Sequence, residues 1–345
     1  MKNCSKDVTA YHDDKVTLPQ SERTNMRNRR DANRTRLKTR LKEKANPSPQ
    51  EFIKQGSYAM LTMLQDAAND YDIDDGVYFT QESLKDPNGS DMASRNARQM
   101  VCDALQDDRF KNQPAVKKNC VRIFYNDGYH VDMPIYRIRE NDGDYELASG
   151  AEWGHSRAAD VEDWFNNANQ TKSLDETNGR QFRRIVRMLK KIARSRESWK
   201  DQIASGFAIT ILAEERFIAN NNREDTALRD TMRAIYNRLI LNLEVNHPVT
   251  PGNKVTKGPD DNKMKFFRGK LETALKDLEV LDKSDCTREQ ALKAWDKVFN
   301  TEYFMSRYKG EEEDTTSANA AFFANLIATK SEPAAVQKKG GGRFA

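Results

Sequence analysis

The stretch Gln55-Gly56-Ser57-Tyr58-Ala59-Met60, followed after a gap by Asp70-Tyr71-Asp72-Ile73-Asp74-Asp75-Gly76-Val77-Tyr78-Phe79, decides how this chain is read. Side chains of a β-strand alternate between its two faces, so Asp72 and Asp74 are expected to point the same way while Ile73 packs inward. Two carboxylates then share one small space, an arrangement that is unfavourable unless cations lie between them. Hard oxygen ligands of this kind suit Mg²⁺ bridging a triphosphate. Gly56 would let the backbone approach a phosphate closely, and Ser57 adds a hydroxyl and an amide donor.

A third carboxylate strengthens the reading. In Tyr129-His130-Val131-Asp132-Met133-Pro134-Ile135, the apolar residues Val131, Met133 and Ile135 alternate with Asp132, which therefore faces away from the core. A charge in the middle of an apolar strand needs a partner. Two metal ions shared with Asp72 and Asp74 would supply it, and the alternative is an ion pair with Arg122 or Arg137 across a hairpin.

Outward from these motifs, the 345 residues are enough for two packed lobes, and 37% hydrophobic with 32% charged residues suits a globular chain with a polar cleft. A net charge of +4 is too small for a general nucleic-acid coat, but residues 23–44 carry ten Lys or Arg against Asp31 and Glu43. That stripe could attract phosphate, and it reads at least as well as a solvated basic helix or a mobile arm, so nucleic-acid binding is left open. There is no run of eighteen apolar residues and no hydrophobic stretch after Met1, which makes a cytoplasmic, non-membrane protein the expectation. Cys4, Cys102, Cys120 and Cys286 are widely spaced and read as reduced thiols.

Four segments are expected. Residues 1–46 form a basic, partly helical or mobile N-terminal segment that ends at Asn46-Pro47-Ser48-Pro49. Residues 47–165 carry mainly strand and turn signals, with Cys120 to Tyr125, Asn126-Asp127-Gly128 and Tyr129 to Ile138 reading as a hairpin with a short glycine turn. Residues 166–330 are helical. Phe182, Ile185, Val186, Leu189, Ile192 and Ala193 form one stripe; Met232, Ile235, Tyr236, Leu239 and Ile240 form another; Thr287 and Gln290 have capping-box spacing. Residues 331–345, with Gly340-Gly341-Gly342, are expected to be a flexible tail.

Together, Gly56-Ser57, Asp72-x-Asp74 and the lone strand residue Asp132 resemble the polymerase-beta-type nucleotidyltransferase superfamily. Gln55-Gly56-Ser57-Tyr58, Tyr71 to Tyr78 and Tyr129-His130-Val131-Asp132 are similar to the bacterial cGAS/DncV-like nucleotidyltransferases, the synthases of CBASS antiphage systems. The resemblance covers roughly residues 50 to 300, extending to Glu152-Trp153, Trp164-Phe165 and the helical half. It implies an α+β fold, with a polymerase-beta-like lobe on a mixed sheet, a C-terminal helical lobe, and the active site in the cleft between them. It also implies joining of ATP and/or GTP into a cyclic dinucleotide that a downstream effector senses. Two Mg²⁺ or Mn²⁺ ions would be held by Asp72, Asp74 and Asp132, with Asp132 also the candidate general base.

In that family a lysine and a serine of the helical lobe touch the donor triphosphate, and Lys191 and Ser205 look like the matching positions, with Lys190 and Lys200 as alternatives to Lys191. Gln55, Gly56, Ser57 and Tyr58 are the other nucleotide-binding candidates, Tyr58 as a base-stacking ring or as core. Some family members are processed at the C-terminus by a ubiquitin-like E1/E2 partner, and Gln337 to Ala345 resembles such a substrate, with Ala345 as the conjugated residue. The competing readings are a linear oligoadenylate synthase or tRNA-type nucleotide-adding enzyme on the same scaffold, and a catalytically silent nucleic-acid-binding protein.

Overall fold

The computed structural model of the chain describes residues 1–66, 71–86 and 88–310. Its sheet is organised by β2 (Tyr71–Thr80), which pairs antiparallel with β1 (Glu51–Gln55) on one edge. On the other edge it runs parallel to β5 (Tyr129–Met133) and then to β6 (Ile135–Ile138), in one register from Tyr71↔Tyr129 to Thr80↔Ile138. β5 and β6 are thus two halves of one strand broken at Pro134. Proline has no N–H for a ladder, yet its carbonyl still accepts from Val77 at 2.8 Å. Beyond the break the outer partner changes, with β4 (Val121–Phe124) on the first half and β7 (Tyr145–Ser149) on the second. β3 (Ala115–Val116) and β8 (Glu152–His155) extend the two ends into a mixed eight-stranded sheet. The expected hairpin is present, with Phe124 opposite His130 and Gly128 at φ +94° in its turn.

One face of this sheet is covered by α2 (Gln20–Glu43) and α4 (Ser94–Leu105), which bury Met26, Leu37, Leu41, Val101 and Leu105 against Ile73, Val77, Phe79 and Val131. The basic stretch is therefore an integral helix and not an arm. Arg34 of α2 binds Asp75 through two hydrogen bonds (2.7 and 2.5 Å), Arg36 binds Asp107, and the Arg29 guanidinium lies 3.8 Å from the centre of the Tyr129 ring. Helix α4 was not legible as such among strand and turn signals, although Ala97, Val101, Ala104 and Leu105 face the sheet at helical spacing.

A second core is helical. Here α5 (Asp160–Lys172), α6 (Gln181–Ala193), α7 (Gly206–Arg216), α8 (Glu224–Leu241), α9 (Asn262–Asp277) and α10 (Arg288–Phe299) pack around Phe182, Leu189, Leu228, Phe267 and Trp295. The α6 stripe is buried as expected, and Thr287 with Gln290 closes a full capping box on α10. On α8 the stripe stops early, because Ile240 is 52% exposed while Met232, Ile235 and Leu239 are buried.

The first eighteen residues differ from expectation. Helix α1 (Ser5–Tyr11) and the π-helical turn His12–Val16 insert Cys4, Val8, Tyr11 and Val16 into the helical core, so residues 1–46 are shared by the two lobes rather than forming a separate segment. Val161 and Phe165 of α5 also belong to that core, so the change of lobe falls before α5 rather than at residue 165. All four cysteines are free. No helix among the described residues is long and apolar enough to cross a membrane. The tail residues 331–345, including Ala345, lie outside the described residues.

Candidate active site

Strand parity puts Asp72 and Asp74 on the sheet face opposite α2 and α4, while Asp75 points the other way to Arg34. The parallel register sets Asp132 of β5 directly beside Asp74. Asp72 is the exposed member at 52% of its side chain, and Asp132 is buried. Burial, reinforced by the charges of Asp132 and Asp72, pushes the Asp74 carboxyl up to about 7. Three neighbouring carboxylates that repel one another call for a counter-charge among them.

In this structure the counter-charge is a side chain. Arg122 of β4, opposite Asp132 in the hairpin, donates to both Asp132 oxygens at 2.7 Å each and lies 3.3 Å from an Asp72 oxygen. The cross-hairpin ion pair foreseen as the alternative for Asp132 is thus what the structure contains. Arg122 engages Asp72 and Asp132, and no three acidic, histidine or cysteine side chains among the described residues are set to hold a metal ion. The chemistry of the donor set fits hard divalent cations: the three carboxylates lie on adjacent strands, and Asp74 is raised by burial and by the charges of the other two.

Gly56 packs against this group. It opens the short helical turn α3 (Gly56–Ala59) at φ +62°, and a Cβ there would stand 2.2 Å from Asp74 Oδ2. Both facts require glycine. Gln55 does not reach the cleft: its buried amide donates to Tyr78 (2.7 Å) and accepts from Tyr136 (3.1 Å), bracing β1 behind the site. Tyr58 also turns away, into a separate cavity of about 300 Å³ with Arg23, Arg27, Arg30 and Lys54. Ser57 is half-buried in the turn, where its carbonyl accepts from Thr62 N–H at 2.9 Å.

Across from the carboxylates is a cleft of about 410 Å³ whose walls include Asp72, Lys190, Arg194, Lys200, Ser205 and Gly206. Ser205 caps α7, its hydroxyl oxygen accepting from Ala208 N–H at 3.1 Å, so the positive end of that helix opens into the cleft. Lys191 points elsewhere, into a neighbouring cavity with Tyr71 and Glu22. The lysine that shares the cleft with Asp72 and Ser205 is Lys190, as is Lys200. The reason is rotation about α6: one residue, about 100°, separates a side chain in the cleft from one beside it. Lys190 is buried against Gly206, bonds Thr62 Oγ1 at 3.0 Å, and is pulled down to about 7 by desolvation and by the neighbouring Arg194 and Arg187.

Sequence reasoning missed a further contact set. Arg183, Arg187 and Lys190, on one face of α6, donate in turn to the carbonyls of Met60 (3.1 Å), Leu61 (2.7 and 2.9 Å) and Thr62 (3.3 Å). They hold the end of the Gly56 turn, including Leu61 at φ +54°, onto the helical lobe. The spacing of these cations was visible on α6, but their acceptors are backbone atoms, which leave no sequence signal.

Comparison with known proteins agrees with this architecture. Residues 50–136 match the family model described as "Cyclic GMP-AMP synthase DncV-like, nucleotidyltransferase domain". Among solved structures, Escherichia coli MS115-1 CdnC with ATP is 18% identical, with a TM-score of 0.64 over 87% of this chain and 98% of that one. A mutant of the Vibrio cholerae di-nucleotide cyclase DncV in complex with ATP, GTP and 5MTHFGLU2 is 18% identical, with a TM-score of 0.69 over 87% and 96%. Vibrio cholerae DncV with the linear intermediate 5′ pppA(3′,5′)pG gives 18%, 0.65, 87% and 96%. At these identities the structures establish a common fold, and the matched domain contains Gly56, the three aspartates and Arg122. Residues 50–136 thus match the nucleotidyltransferase domain of the DncV-like family, and the chain as a whole shares the fold of the DncV and CdnC structures.

Proposed function

We propose that the chain joins ribonucleoside triphosphates, ATP and/or GTP, into a cyclic dinucleotide with release of pyrophosphate, as a signal in antiphage defence. The observation that carries this reading is the placement of Asp72 in one cleft with Lys190, Lys200 and the capped start of α7. A carboxylate site thereby faces a polyphosphate site across the boundary between two lobes.

Asp72, Asp74 and Asp132 would hold Mg²⁺ or Mn²⁺, two ions, which when bound neutralise the triphosphate and acidify the attacking ribose hydroxyl. The chain's own groups do the rest. Lys190, Lys200, Arg194 and the N–H groups at the start of α7 bind and orient the donor triphosphate. Asp132 takes the proton of the attacking hydroxyl, whose oxygen forms a bond to the α-phosphorus as the bond to the β-phosphate breaks. Arg122 must release Asp132 for this. A second transfer within the linear product closes the ring. The DncV structure with a linear pppA(3′,5′)pG intermediate supports the order, at the level of a relative.

The sheet lobe, through Asp66 and Asp72, and the helical lobe that begins with α5, through Lys190, Lys200 and Ser205, supply opposite walls of the cleft in this reading. An E1/E2-like protein acting on Ala345 and an effector sensing the product are the partners that the family resemblance suggests. Incubation with all four NTPs and Mg²⁺ or Mn²⁺, followed by mass spectrometry, tests the function. A cyclic dinucleotide supports it, a linear oligoadenylate or an extended tRNA favours the other scaffold enzymes, and no NTP consumption refutes it.

A further inference from the structure

The end of the Gly56 turn meets α6 through three cations: Arg183, Arg187 and Lys190 recur on one helix face and donate in order to the carbonyls of Met60, Leu61 and Thr62. Arg187 is the central contact. It is 3% exposed, and its Nε and Nη2 both reach the Leu61 carbonyl, at 2.9 and 2.7 Å. Its Nη1 lies 3.4 Å from Nε2 of His12, a fully buried ring of the π-helical turn whose Nδ1 is 2.7 Å from Asp13. Burial lowers the pKa of His12, so the neutral ring, with its proton toward Asp13, presents an Nε2 lone pair to Arg187 and to the Thr17 hydroxyl.

Stability alone does not account for this arrangement. Among the described residues no carboxylate forms an ion pair with Arg187, and desolvation with the nearby charges of Arg23, Arg183 and Arg184 pulls its guanidinium down to about 9. An apolar side chain of similar volume would fill the same space without a buried charge. What the guanidinium supplies is direction. It fixes the carbonyl of Leu61, which is 44% exposed and held at φ +54°, a conformation that a residue other than glycine seldom keeps unaided. The same turn reaches both halves of the proposed centre: Gly56 at its start packs on Asp74, and Thr62 at its end bonds Lys190 of the polyphosphate cleft.

We infer that Arg187 is a positioning residue for the reaction: by holding Leu61 it sets the Gly56 turn against Asp74 across the boundary between the lobes. The inference rests on the nucleotidyltransferase reading and adds to it a residue that touches neither nucleotide nor cation. Arg187 does not line the cleft, so its loss removes no phosphate contact. It releases the turn, and with it the alignment of Asp74. A misplacement of about 1 Å at a reacting group lowers turnover about 100-fold, while ground-state binding through Lys200 and Ser205 stays in place.

The test is steady-state kinetics of NTP consumption by the full chain at saturating Mg²⁺ for wild type, Arg187→Met and Arg187→Lys, with the folded fraction of each taken from circular dichroism. Arg187→Met should lower kcat about 100-fold per folded molecule and change KM by less than about threefold. Arg187→Lys keeps one charged donor for the Leu61 carbonyl and should recover about tenfold of that loss. A less stable Arg187→Met with wild-type kcat, a rise in KM that accounts for the whole loss of kcat/KM, or a lysine variant as slow as the methionine one overturns the assignment alone. Should Arg187→Met not fold, Arg187→Lys decides by itself: a kcat about tenfold below wild type at unchanged KM supports the assignment, and wild-type kcat overturns it. Absence of turnover in wild type overturns the proposed function as well.

Discussion

Arg122 and Asp132 face each other across the β4–β5 hairpin and are joined by two parallel hydrogen bonds of 2.7 Å. The same guanidinium is 3.3 Å from Asp72, so one side chain neutralises two of the three carboxylates. Arg122 therefore acts as an internal counter-ion that a divalent cation must displace. Arg122→Gln is expected to lower the thermal midpoint without metal, by the equivalent of about 2 kcal/mol for a partly buried pair. The rise in midpoint on adding Mg²⁺ or Mn²⁺ should be larger than in wild type. A smaller rise would mean that Arg122 supports cation binding instead of competing with it.

Gly56→Ala should be more harmful than an ordinary surface substitution. The φ of +62° disfavours any L side chain, and the new methyl would press on Asp74 Oδ2. A loss of about 1–3 kcal/mol in denaturant unfolding is expected from strain of this kind, together with loss of turnover. Wild-type stability and turnover in this variant would show that the turn relaxes freely.

Lys190 gives stability a pH dependence of defined sign. Its folded-state pKa, lowered to about 7 from 10.5, means that between these values the unfolded chain binds more protons than the folded one. Stability therefore rises with pH across that window, by at most about 1.4 kcal/mol per unit from this group. Lys190→Met should flatten that part of the profile. A triphosphate restores the charged form, so nucleotide affinity should fall as pH rises through about 7 in wild type and change less in the variant. Proton uptake measured by titration calorimetry in buffers of different ionisation enthalpy checks the second half.

Because Lys190 and Ser205 share the cleft with Asp72 while Lys191 does not, their alanine variants should separate kinetically. Lys190→Ala and Ser205→Ala should raise KM for the donor nucleotide, about tenfold or more for the lysine, since a phosphate contact persists from ground to transition state. Lys191→Ala should leave the triphosphate contact intact. The reverse ranking of the two lysines in steady-state kinetics would return the role to Lys191.

Much of this site could be read before the fold was known, for a physical reason. Strand periodicity is short-range, so Asp72, Asp74 and Asp132 could be assigned a face from their immediate neighbours. The hairpin around Asn126-Asp127-Gly128 likewise fixed Arg122 as a candidate partner. Other features depend on distant contacts. A helical lysine's direction turns by about 100° per residue, so choosing Lys191 over Lys190 by spacing was fragile. Gln55 carries the same polar signal whether it faces a ligand or two tyrosine hydroxyls. Residues 5–16 pack with α8 and α10, which follow them by more than two hundred positions, and a weak local pattern gave no sign of it.

The central claim is that the three aspartates form the reacting centre of an NTP-joining enzyme. It is tested most directly by following NTP consumption and product mass with Mg²⁺ for wild type and for Asp72→Asn combined with Asp74→Asn. The double variant should keep its fold, slightly stabilised without metal because carboxylate repulsion is relieved. Wild type should release pyrophosphate and yield a cyclic dinucleotide, and the double variant should yield none. Product formation by the double variant at the wild-type rate would contradict the assignment.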